Sequence, residues 1–404
     1  MKIATIITEY NPFHNGHKYQ VDKVREMLGE DTIVVAIMSG NFTQRGEIAI
    51  ADKTTRAKAA VECGVNLVLE LPFPFSMSSA EFFAKSGVKI ANELKVIDNL
   101  IFGSECGDTN TLIKIASNMQ TESFTNKLAE ETEKKANIGY AALCESVYKE
   151  LFDNSISNDF FSPNNILAIE YIKAIKFFNS NIKPLTIKRE GAGYLSTLTP
   201  STANQSASAI RGLISSNNNS ALDYMPKEAK NVMQSAINLG SAPTDESKLD
   251  TAVISKLRLN SQLENGENIH DASGGLYNRI CSMSKTATTI SSLVSMTETK
   301  KYTRARTRRA IWNSYFGVTS SEVRALPEYT QILAMDQKGR SLLKKVKKLP
   351  DFPILTKPSS YDKLCEAAKK QKENSDRADA VYDLARNKPI SAAFALTFTP
   401  YVKD

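Results

Sequence analysis

The sequence predicts an α/β protein in which a doubly wound parallel sheet is followed by a mainly helical C-terminal region. Three observations predict this class. The first half of the chain alternates short apolar runs with segments of helical periodicity. The apolar runs are nearly continuous, which is typical of strands covered on both faces. A Ser- and Asn-rich break at residues 215–220 precedes a region in which no further run is as clear a strand.

Five strands and the helices between them are predicted in chain order. The strands lie at residues 2–9, 32–40, 66–72, 99–105 and 183–190. The helical segments lie at residues 17–28, 53–63, 79–94 and 165–178, and parallel neighbours need such crossovers. We therefore predict an α/β domain over residues 1–215, whose last helix begins near residue 206, and a second domain over residues 216–404. An apolar run at residues 390–398 would suit a strand that returns to a sheet.

Composition argues against several classes of protein. The chain has 404 residues, 42% of them hydrophobic, and no run of 18 apolar residues, so we expect no membrane partner. The N-terminus passes directly into the first strand without the pattern of a secretion signal. Five cysteines lie far apart without paired spacing, which argues against disulfides and a zinc site. We expect a cytoplasmic protein with reduced thiols and no metal ligands of its own.

The net charge of +7 is concentrated in one segment. Residues 300–348 contain 13 Lys and Arg against three acidic residues. Such a patch suits a polyanion, although a solvated helical face would carry the same charges. Arg304 and Arg308 share a helical face by their spacing and would form a stripe along an RNA backbone, with Trp312 in the core. The predicted nucleic-acid contacts are Lys300, Lys301, Arg304, Arg306, Arg308 and Arg309.

The clearest motif is His14-Asn15-Gly16-His17, between the first predicted strand and the first predicted helix. Two of the three histidines in the chain fall within these four residues. Ligands of open parallel sheets bind beyond the carboxyl ends of the strands. A helix N-terminus offers N–H groups and a positive dipole end to phosphate, and imidazoles donate to phosphoryl oxygens. The motif predicts a phosphate site, and its alternative is a pair of histidines that cap a turn.

Two signatures in the chain resemble those of the HxGH nucleotidyltransferases, whose fold is Rossmann-like. The first is the histidine motif with Asn11-Pro12 before it. The second, which in that superfamily is rich in Ser and Thr and ends in Arg at a helix start, is matched by residues 206–211 (SASAIR). The resemblance implies that Ser206 and Ser208 offer donors at a helix start. It also implies that Arg211 offers a fork of donors to the β- and γ-phosphates.

Further motifs resemble the family of bacterial tRNA(Met) cytidine acetate ligases. They are residues 7–17 (ITEYNPFHNGH), 38–47 (MSGNFTQRGE), 69–75 (LELPFPF), 102–105 (FGSE) and 162–167 (SPNNIL). The resemblance covers essentially the whole chain. It implies a reaction with ATP and Mg²⁺ in which acetate attacks the α-phosphate to give acetyl-adenylate. The acetyl group then passes to N4 of the wobble cytidine in the anticodon stem-loop of elongator tRNA(Met), giving N4-acetylcytidine.

The predicted site residues follow from this resemblance and from the loop after the second strand. Asn41, Gln44 and Arg45 emerge at the same edge of the sheet, and we expect them to line the acceptor pocket, because a small anion needs convergent donors. A loop ordered by local turns is the alternative. Catalytic roles are predicted for His14, His17, Arg211, Asn41 and Arg45. ATP contacts are predicted for Ile7, Thr8, Glu9, Tyr10, Asn11, Pro12, Phe13, Asn15, Gly16, Lys18, Tyr19, Gln20, Gly103, Asn164, Asn165, Arg189, Ser206 and Ser208.

Two other functions fit parts of the sequence. A nucleotidyltransferase of the same superfamily that acts on a small phosphorylated metabolite would not need the large basic extension. An RNA-binding protein with a decayed nucleotide site would not need to retain His14, His17, Gly16 and Arg211. Acetate-dependent release of pyrophosphate distinguishes the ligase from both alternatives.

Overall fold

An eight-stranded, mostly parallel sheet forms the centre of the protein. The structure is a computed structural model and describes residues 1–134, 139–153, 158–189, 206–216, 218–260, 266–346, 352–393 and 398–404. The strands are β1 (Ile3–Thr8), β2 (Ile33–Ser39), β3 (Leu67–Leu71), β4 (Asn99–Ser104), β5 (Lys183–Lys188), β6 (Thr330–Met335), β7 (Ile354–Leu355) and β8 (Tyr401–Val402). Their order is β5-β4-β1-β2-β3-β6-β7, with β8 also paired to β6. Strands β1 to β5 pair in parallel, and β6 runs antiparallel to β3.

The predicted fold class is confirmed, with one correction in the C-terminal half. Each of β1 to β5 lies inside its predicted segment, whereas β6, β7 and β8 were not predicted. A short apolar segment such as β6 has no periodicity that distinguishes a strand from a helix. The segment is buried because it pairs with the edge of β3. Within the predicted run at residues 390–398, residues 394–397 lie outside the described residues and the others form no strand. The division at residue 215 stays a prediction.

Helices follow the strands as crossovers and then dominate the second half of the described chain. They are α1 (Asn15–Leu28), α2 (Lys53–Glu62), α3 (Ala80–Glu93), α4 (Thr109–Asn118), α5 (Glu122–Lys134), α6 (Tyr140–Leu151), α7 (Pro163–Phe177), α8 (Ala207–Ser215), α9 (Lys227–Leu239), α10 (Asp250–Asn260), α11 (Leu276–Ser284), α12 (Ile290–Thr297), α13 (Arg304–Phe316), α14 (Ser320–Arg324), α15 (Gln337–Val346) and α16 (Glu366–Leu384). Among the described residues, no helix is long and apolar enough to span a membrane.

Both faces of the sheet are covered, as a doubly wound fold requires. One core lies between the sheet and α3, α4, α7 and α15, and the other lies between the sheet and α1, α2, α8 and α9. Residues alternate between these cores along β2, where Val35 and Ile37 face the first and Val34 and Ala36 the second. This arrangement leaves the carboxyl ends of β1, β2 and β4 free to carry a site.

A third core joins helices α10 to α13 and α16. Trp312 is fully buried in it, as predicted, and packs edge-on against Phe42 with ring centroids 5.1 Å apart. Phe42 belongs to the loop that follows β2, and it also contacts Phe316 of α13 at 5.5 Å. These helices, called the helical cluster below, therefore pack directly against a loop at the carboxyl edge of the sheet.

Candidate active site

The motif His14 to His17 forms the start of α1, just beyond the carboxyl end of β1. His14 is the N-cap residue, and its Nδ1 accepts a hydrogen bond from the Gly16 N–H at 3.0 Å. The His14 N–H donates in turn to Nδ1 of His17 at 3.3 Å. Because each Nδ1 is an acceptor, a neutral imidazole at either position carries its proton on Nε2. Both rings therefore keep an Nε2–H donor for a ligand.

Burial and neighbouring cations hold both imidazoles in the neutral form. The two rings stack, and Tyr10 packs edge-on against His17 with centroids 4.8 Å apart. Burial, followed by the charges of Arg189 and Arg211, lowers the pKa of His14 to about 4. Burial, followed by the adjacent His14, also lowers the pKa of His17. At neutral pH the positive charge at this corner therefore comes from arginines and from the helix start.

Two arginines, Arg189 and Arg211, flank the histidines. The guanidinium of Arg211 donates from Nη1 to the Asn11 carbonyl oxygen at 3.0 Å and pairs through Nη2 with Glu47 at 2.6 Å. Arg189 follows β5 and lies over Gly103, where an added Cβ would stand 3.2 Å from Cγ of Arg189. The structure thus brings the two arginines and Gly103 to the same corner as the histidine pair.

The start of α7 distinguishes between the two predicted asparagines. Glu105 caps this helix, because its carboxylate accepts hydrogen bonds from the Asn165 N–H at 2.9 Å and from the Asn164 amide. Asn165 is fully buried, and its Oδ1 accepts from the Glu105 N–H at 2.9 Å. Asn164 is half-buried. Of the two, Asn164 is the side chain that a ligand can reach.

The other residues of the predicted ATP segment divide by burial. Those under or before the histidines are buried, namely Ile7, Tyr10, Asn11, Pro12 and Phe13. Those that are half-buried are Thr8, Glu9, Asn15, Gly16, Lys18, Tyr19 and Gln20. At the start of α8, Ser206 caps the helix by accepting from the Ala209 N–H at 3.2 Å, and its hydroxyl lies 3.1 Å from that of Ser208.

The loop after β2 contains the predicted acceptor residues, which have different surroundings. Asn41 is buried; its Oδ1 accepts from a backbone N–H of α2 at 2.7 Å and its Nδ2 donates to Asp379 at 2.8 Å. The Gln44 N–H donates to Oε1 of Glu9 at 2.9 Å. Arg45 is exposed and forms no hydrogen bond or ion pair within the described part of the chain. Arg45 is therefore available to an anion, whereas Asn41 is engaged in holding the loop.

Comparison with known proteins places these features in a family. A family model described as HIGH Nucleotidyl Transferase matches residues 1–394. A tRNA(Met) cytidine acetate ligase of Acetivibrio thermocellus is 38% identical over 386 residues, which cover 92% of each chain. One of Clostridium tetani is 38% identical over 374 residues, covering 90% of this chain and 92% of that one. The chain belongs to the tRNA(Met) cytidine acetate ligase family.

The similarity to this family extends to the fold of the whole chain. A crystal structure of Thermotoga maritima TmcAL bound with alpha-thio ATP is similar with a TM-score of 0.90 and 29% identity, covering 100% of this chain and 99% of that one. The apo form of that protein gives the same values. The resemblance inferred from the motifs is confirmed by both comparisons.

The structure divides the six predicted RNA contacts of this family member into two groups. Lys300 is exposed, and so is Arg304, which forms a surface ion pair with Glu298 at 3.3 Å. Lys301 is half-buried, with its Nζ 3.2 Å from the Gly274 carbonyl oxygen. The remaining three arginines are engaged within the protein. Arg306 donates to the carbonyl oxygens of residues 271 and 273, and the side chains of Arg308 and Arg309 are 11% and 8% exposed in ion pairs. The predicted stripe of Arg304 and Arg308 is therefore not presented at the surface, because Arg308 turns inward to Glu246.

Two residues that shape the site were missed in the sequence. Arg56 lies in α2, fully buried, and donates to the carbonyl oxygens of Glu9, Ser39 and Gly40, so it ties the ends of β1 and β2 together. An arginine among the alanines of a helix gives no sequence signal for such a role. Glu47, the partner of Arg211, ends the motif at residues 38–47, and its acidic charge beside a phosphate site was the available signal.

A buried ionic cluster lies behind the loop after β2. Lys53 pairs with Glu70 at 2.7 Å and with Asp379 at 2.6 Å, and these three residues come from α2, β3 and α16. Asp379 also accepts from the Asn41 amide. The opposite charges of its two partners raise the pKa of Lys53 against the effect of burial, so the ammonium stays charged. The cluster anchors the loop to the C-terminal helix.

Proposed function

We propose that this protein is an ATP-dependent ligase that activates acetate as acetyl-adenylate and transfers the acetyl group to N4 of the wobble cytidine of elongator tRNA(Met). The observation that supports this most is family membership over nearly the full chain, with 38% identity to the Acetivibrio ligase. The corner formed by His14, His17, Arg189 and Arg211, called the ATP corner below, supplies the chemistry that the first step needs. His14 and His17 lie at the start of α1, Arg189 follows β5, and Arg211 lies in α8.

In the first step an acetate oxygen attacks the α-phosphorus of ATP and pyrophosphate leaves. Catalysis of this kind depends on positioning and on stabilising charge that spreads over phosphoryl oxygens. We assign the Nε2–H groups of His14 and His17 as neutral donors to those oxygens. Arg189 and Arg211 and the start of α1 supply the positive charge.

The part of the chain that the structure describes holds no ready-made magnesium site at this corner. Among the residues that the structure describes, no group of three His, Cys, Asp or Glu side chains lies close enough to hold a metal ion. We propose that Mg²⁺ arrives with the triphosphate and keeps phosphate and water oxygens as most of its ligands. Glu9 and Glu47, beside Arg211, are the carboxylates available to it. The ion would offset negative charge on the phosphate oxygens.

In the second step the cytidine amine attacks the acetyl carbonyl carbon, AMP leaves with the electron pair of the broken C–O bond, and the amine loses one proton to solvent. We assign acetate binding to the free guanidinium of Arg45, with the Gln44 side of the loop as the wall of the pocket. Glu9 is held against this loop by the Gln44 N–H. Asn41 acts as a positioning residue for the same loop. The tRNA surface is assigned to Lys300, Lys301 and Arg304, together with the basic helix α15.

The test is transfer of label from radioactive acetate to elongator tRNA(Met) in the presence of ATP and Mg²⁺. The intact protein should label the wobble cytidine. His17→Ala should abolish the label, because it removes both the Nε2–H donor and the hydrogen bond to the His14 N–H. Glu26→Ala, which truncates an exposed side chain of the same helix, is the matched control and should label normally.

The outcomes separate the competing functions. Acetate-dependent release of pyrophosphate without label on tRNA would contradict the proposed acceptor. Absence of both, in a protein that binds ATP, would favour nucleotidyl transfer to a small phosphorylated metabolite. Label that persists in His17→Ala would remove this histidine from the proposed site.

A further inference from the structure

We propose that Arg309 is a positioning residue for catalysis. It fixes the loop Asn41–Glu47 against the helical cluster, and so it connects α13, whose first residue is assigned to the tRNA surface, to the ATP corner. This inference rests on the proposed function. It gives a new role to a residue that the sequence placed among the RNA contacts. Three observations support it: the partners of Arg309, the close approach of the loop to α13, and the partners of the loop at the ATP corner.

Two nitrogens of the Arg309 guanidinium, Nε and Nη1, donate hydrogen bonds to groups inside the protein. Its Nε donates to Oδ2 of Asp271 at 2.6 Å, and its Nη1 donates to the Gln44 carbonyl oxygen at 3.2 Å. The residue is only 7% exposed. A guanidinium in this position links two segments of the protein and is shielded from an RNA phosphate.

The loop also approaches the backbone of α13 as closely as a glycine allows. Gly46 has a φ of +74°, and a Cβ placed there would lie 2.7 Å from the backbone nitrogen of Arg309 and 2.8 Å from Cβ of Arg308. The Gly46 carbonyl oxygen accepts from Nε of Arg308 at 3.0 Å. A side chain at residue 46 is excluded both by the backbone conformation and by the helix.

The other side of the loop touches the ATP corner. The Gln44 N–H donates to Oε1 of Glu9 at 2.9 Å, and Oε2 of Glu47 lies 2.6 Å from Nη2 of Arg211. Arg309 is therefore separated from each of these groups only by the loop itself. At the start of the same helix α13 stands Arg304, which is exposed and assigned to the tRNA surface. A shift of α13 when tRNA binds would reach Glu9 and Arg211 through this loop.

The experiment compares Arg309→Ala with Arg279→Ala in the acetylation reaction. Arg279 is the matched control, because its guanidinium donates to two carbonyl oxygens within the helical cluster, those of Met296 and Thr297, and not to the loop. We expect Arg309→Ala to lower kcat about ten-fold or more, the effect of one lost hydrogen bond to a charged group, with the Kd for tRNA(Met) unchanged. Arg279→Ala should leave kcat unchanged and lower the melting temperature less than Arg309→Ala, which leaves the buried Asp271 without its ion-pair partner.

Three further variants keep the inference falsifiable if Arg309→Ala folds poorly. Gly46→Ala separates the same loop from α13 without changing the Arg309 side chain, and it should lower kcat with tRNA affinity retained. Arg309→Lys keeps a charge opposite Asp271 without the fork, and should not restore kcat. Arg309→Ala combined with Gly46→Ala should lower kcat little more than the larger single change does, because both changes act on the contact between one loop and α13.

Clear results would overturn the inference. If Arg309→Ala weakens tRNA binding and leaves kcat unchanged, Arg309 is an RNA contact. If Arg309→Lys restores kcat, a positive charge opposite Asp271 is sufficient for turnover, and the hydrogen bond from Arg309 to the Gln44 carbonyl oxygen is not needed. An intact protein that gives no acetylation at all would instead contradict the proposed function, so the two failures are distinguishable.

Discussion

The imidazole rings of His14 and His17 stack 3.8 Å apart with 29° between their planes. Two protonated rings at this distance would repel each other, and Arg189 and Arg211 add to the cost. The folded protein therefore keeps the pair neutral, whereas in the unfolded chain histidines protonate near pH 6.5. As the pH falls from about 7 toward about 4, the unfolded state binds more protons than the folded state, and the stability of the fold decreases.

Replacing His14 with Asn should make the fold less sensitive to acid. Asn is a good N-cap residue, so the start of α1 keeps its cap while one titrating group is lost. The free energy of unfolding is measured by urea titration at pH 7 and at pH 5. Its decrease between these pH values should be smaller in His14→Asn than in the parent, and the difference should be at most about 1.4 kcal/mol per pH unit. An identical pH dependence in both proteins would contradict the lowered pKa of His14.

Adding a methyl group at Gly103 should weaken ATP binding. The new Cβ would stand 3.2 Å from Cγ of Arg189, so this side chain must shift by a few tenths of an ångström at the ATP corner. We expect Gly103→Ala to raise the KM for ATP about five-fold, the size of a weakened charged hydrogen bond. Gly139→Ala, where a Cβ meets nothing within 4 Å, is the control. A KM for ATP that both variants leave unchanged would remove Arg189 from nucleotide binding.

Removing the carboxylate of Asp379 should destabilise the protein much more than removing that of Asp376 on the same helix. Asp379 pairs with the buried Lys53 and accepts from Asn41, whereas Asp376 pairs with Lys372 and is 37% exposed. We expect Asp379→Ala to lower the free energy of unfolding by about 2–3 kcal/mol and Asp376→Ala by less than about 1 kcal/mol. Equal losses in urea titrations would show that the buried cluster contributes little.

Salt dependence should identify the tRNA surface. Changing Lys300, Lys301 and Arg304 together to Ala should flatten the slope of log Kd for tRNA against log salt concentration by up to about 0.7–0.9 for each phosphate that is no longer neutralised. Filter binding at several salt concentrations measures this slope. Changing the exposed Lys134 and its neighbour Lys127 on α5 to Ala removes charge outside the basic segment and should leave the slope as it was. If both sets change the slope equally for each charge removed, binding is governed by overall charge.

Local patterns in the sequence were sufficient to predict the class of fold and the corner assigned to ATP chemistry. Continuous apolar runs marked β1 to β5, because buried parallel strands must be apolar on both faces. The motif from His14 to His17 marked the start of α1, since strand, turn and helix N-terminus are consecutive in the chain. These features depend on neighbours in sequence, so they can be predicted before the chain is folded.

The roles of residues far apart in the chain depended instead on the packed fold. Arg309 looked like an RNA contact, and only folding places it between Asp271 and the loop after β2. Arg56 and β6 gave no usable signal, because their roles depend on carbonyl oxygens and a strand edge contributed by other parts of the chain. A charged side chain in a sequence can bind a ligand or link two segments. Which of the two it does depends on burial and on long-range partners, and these exist only once the chain is packed.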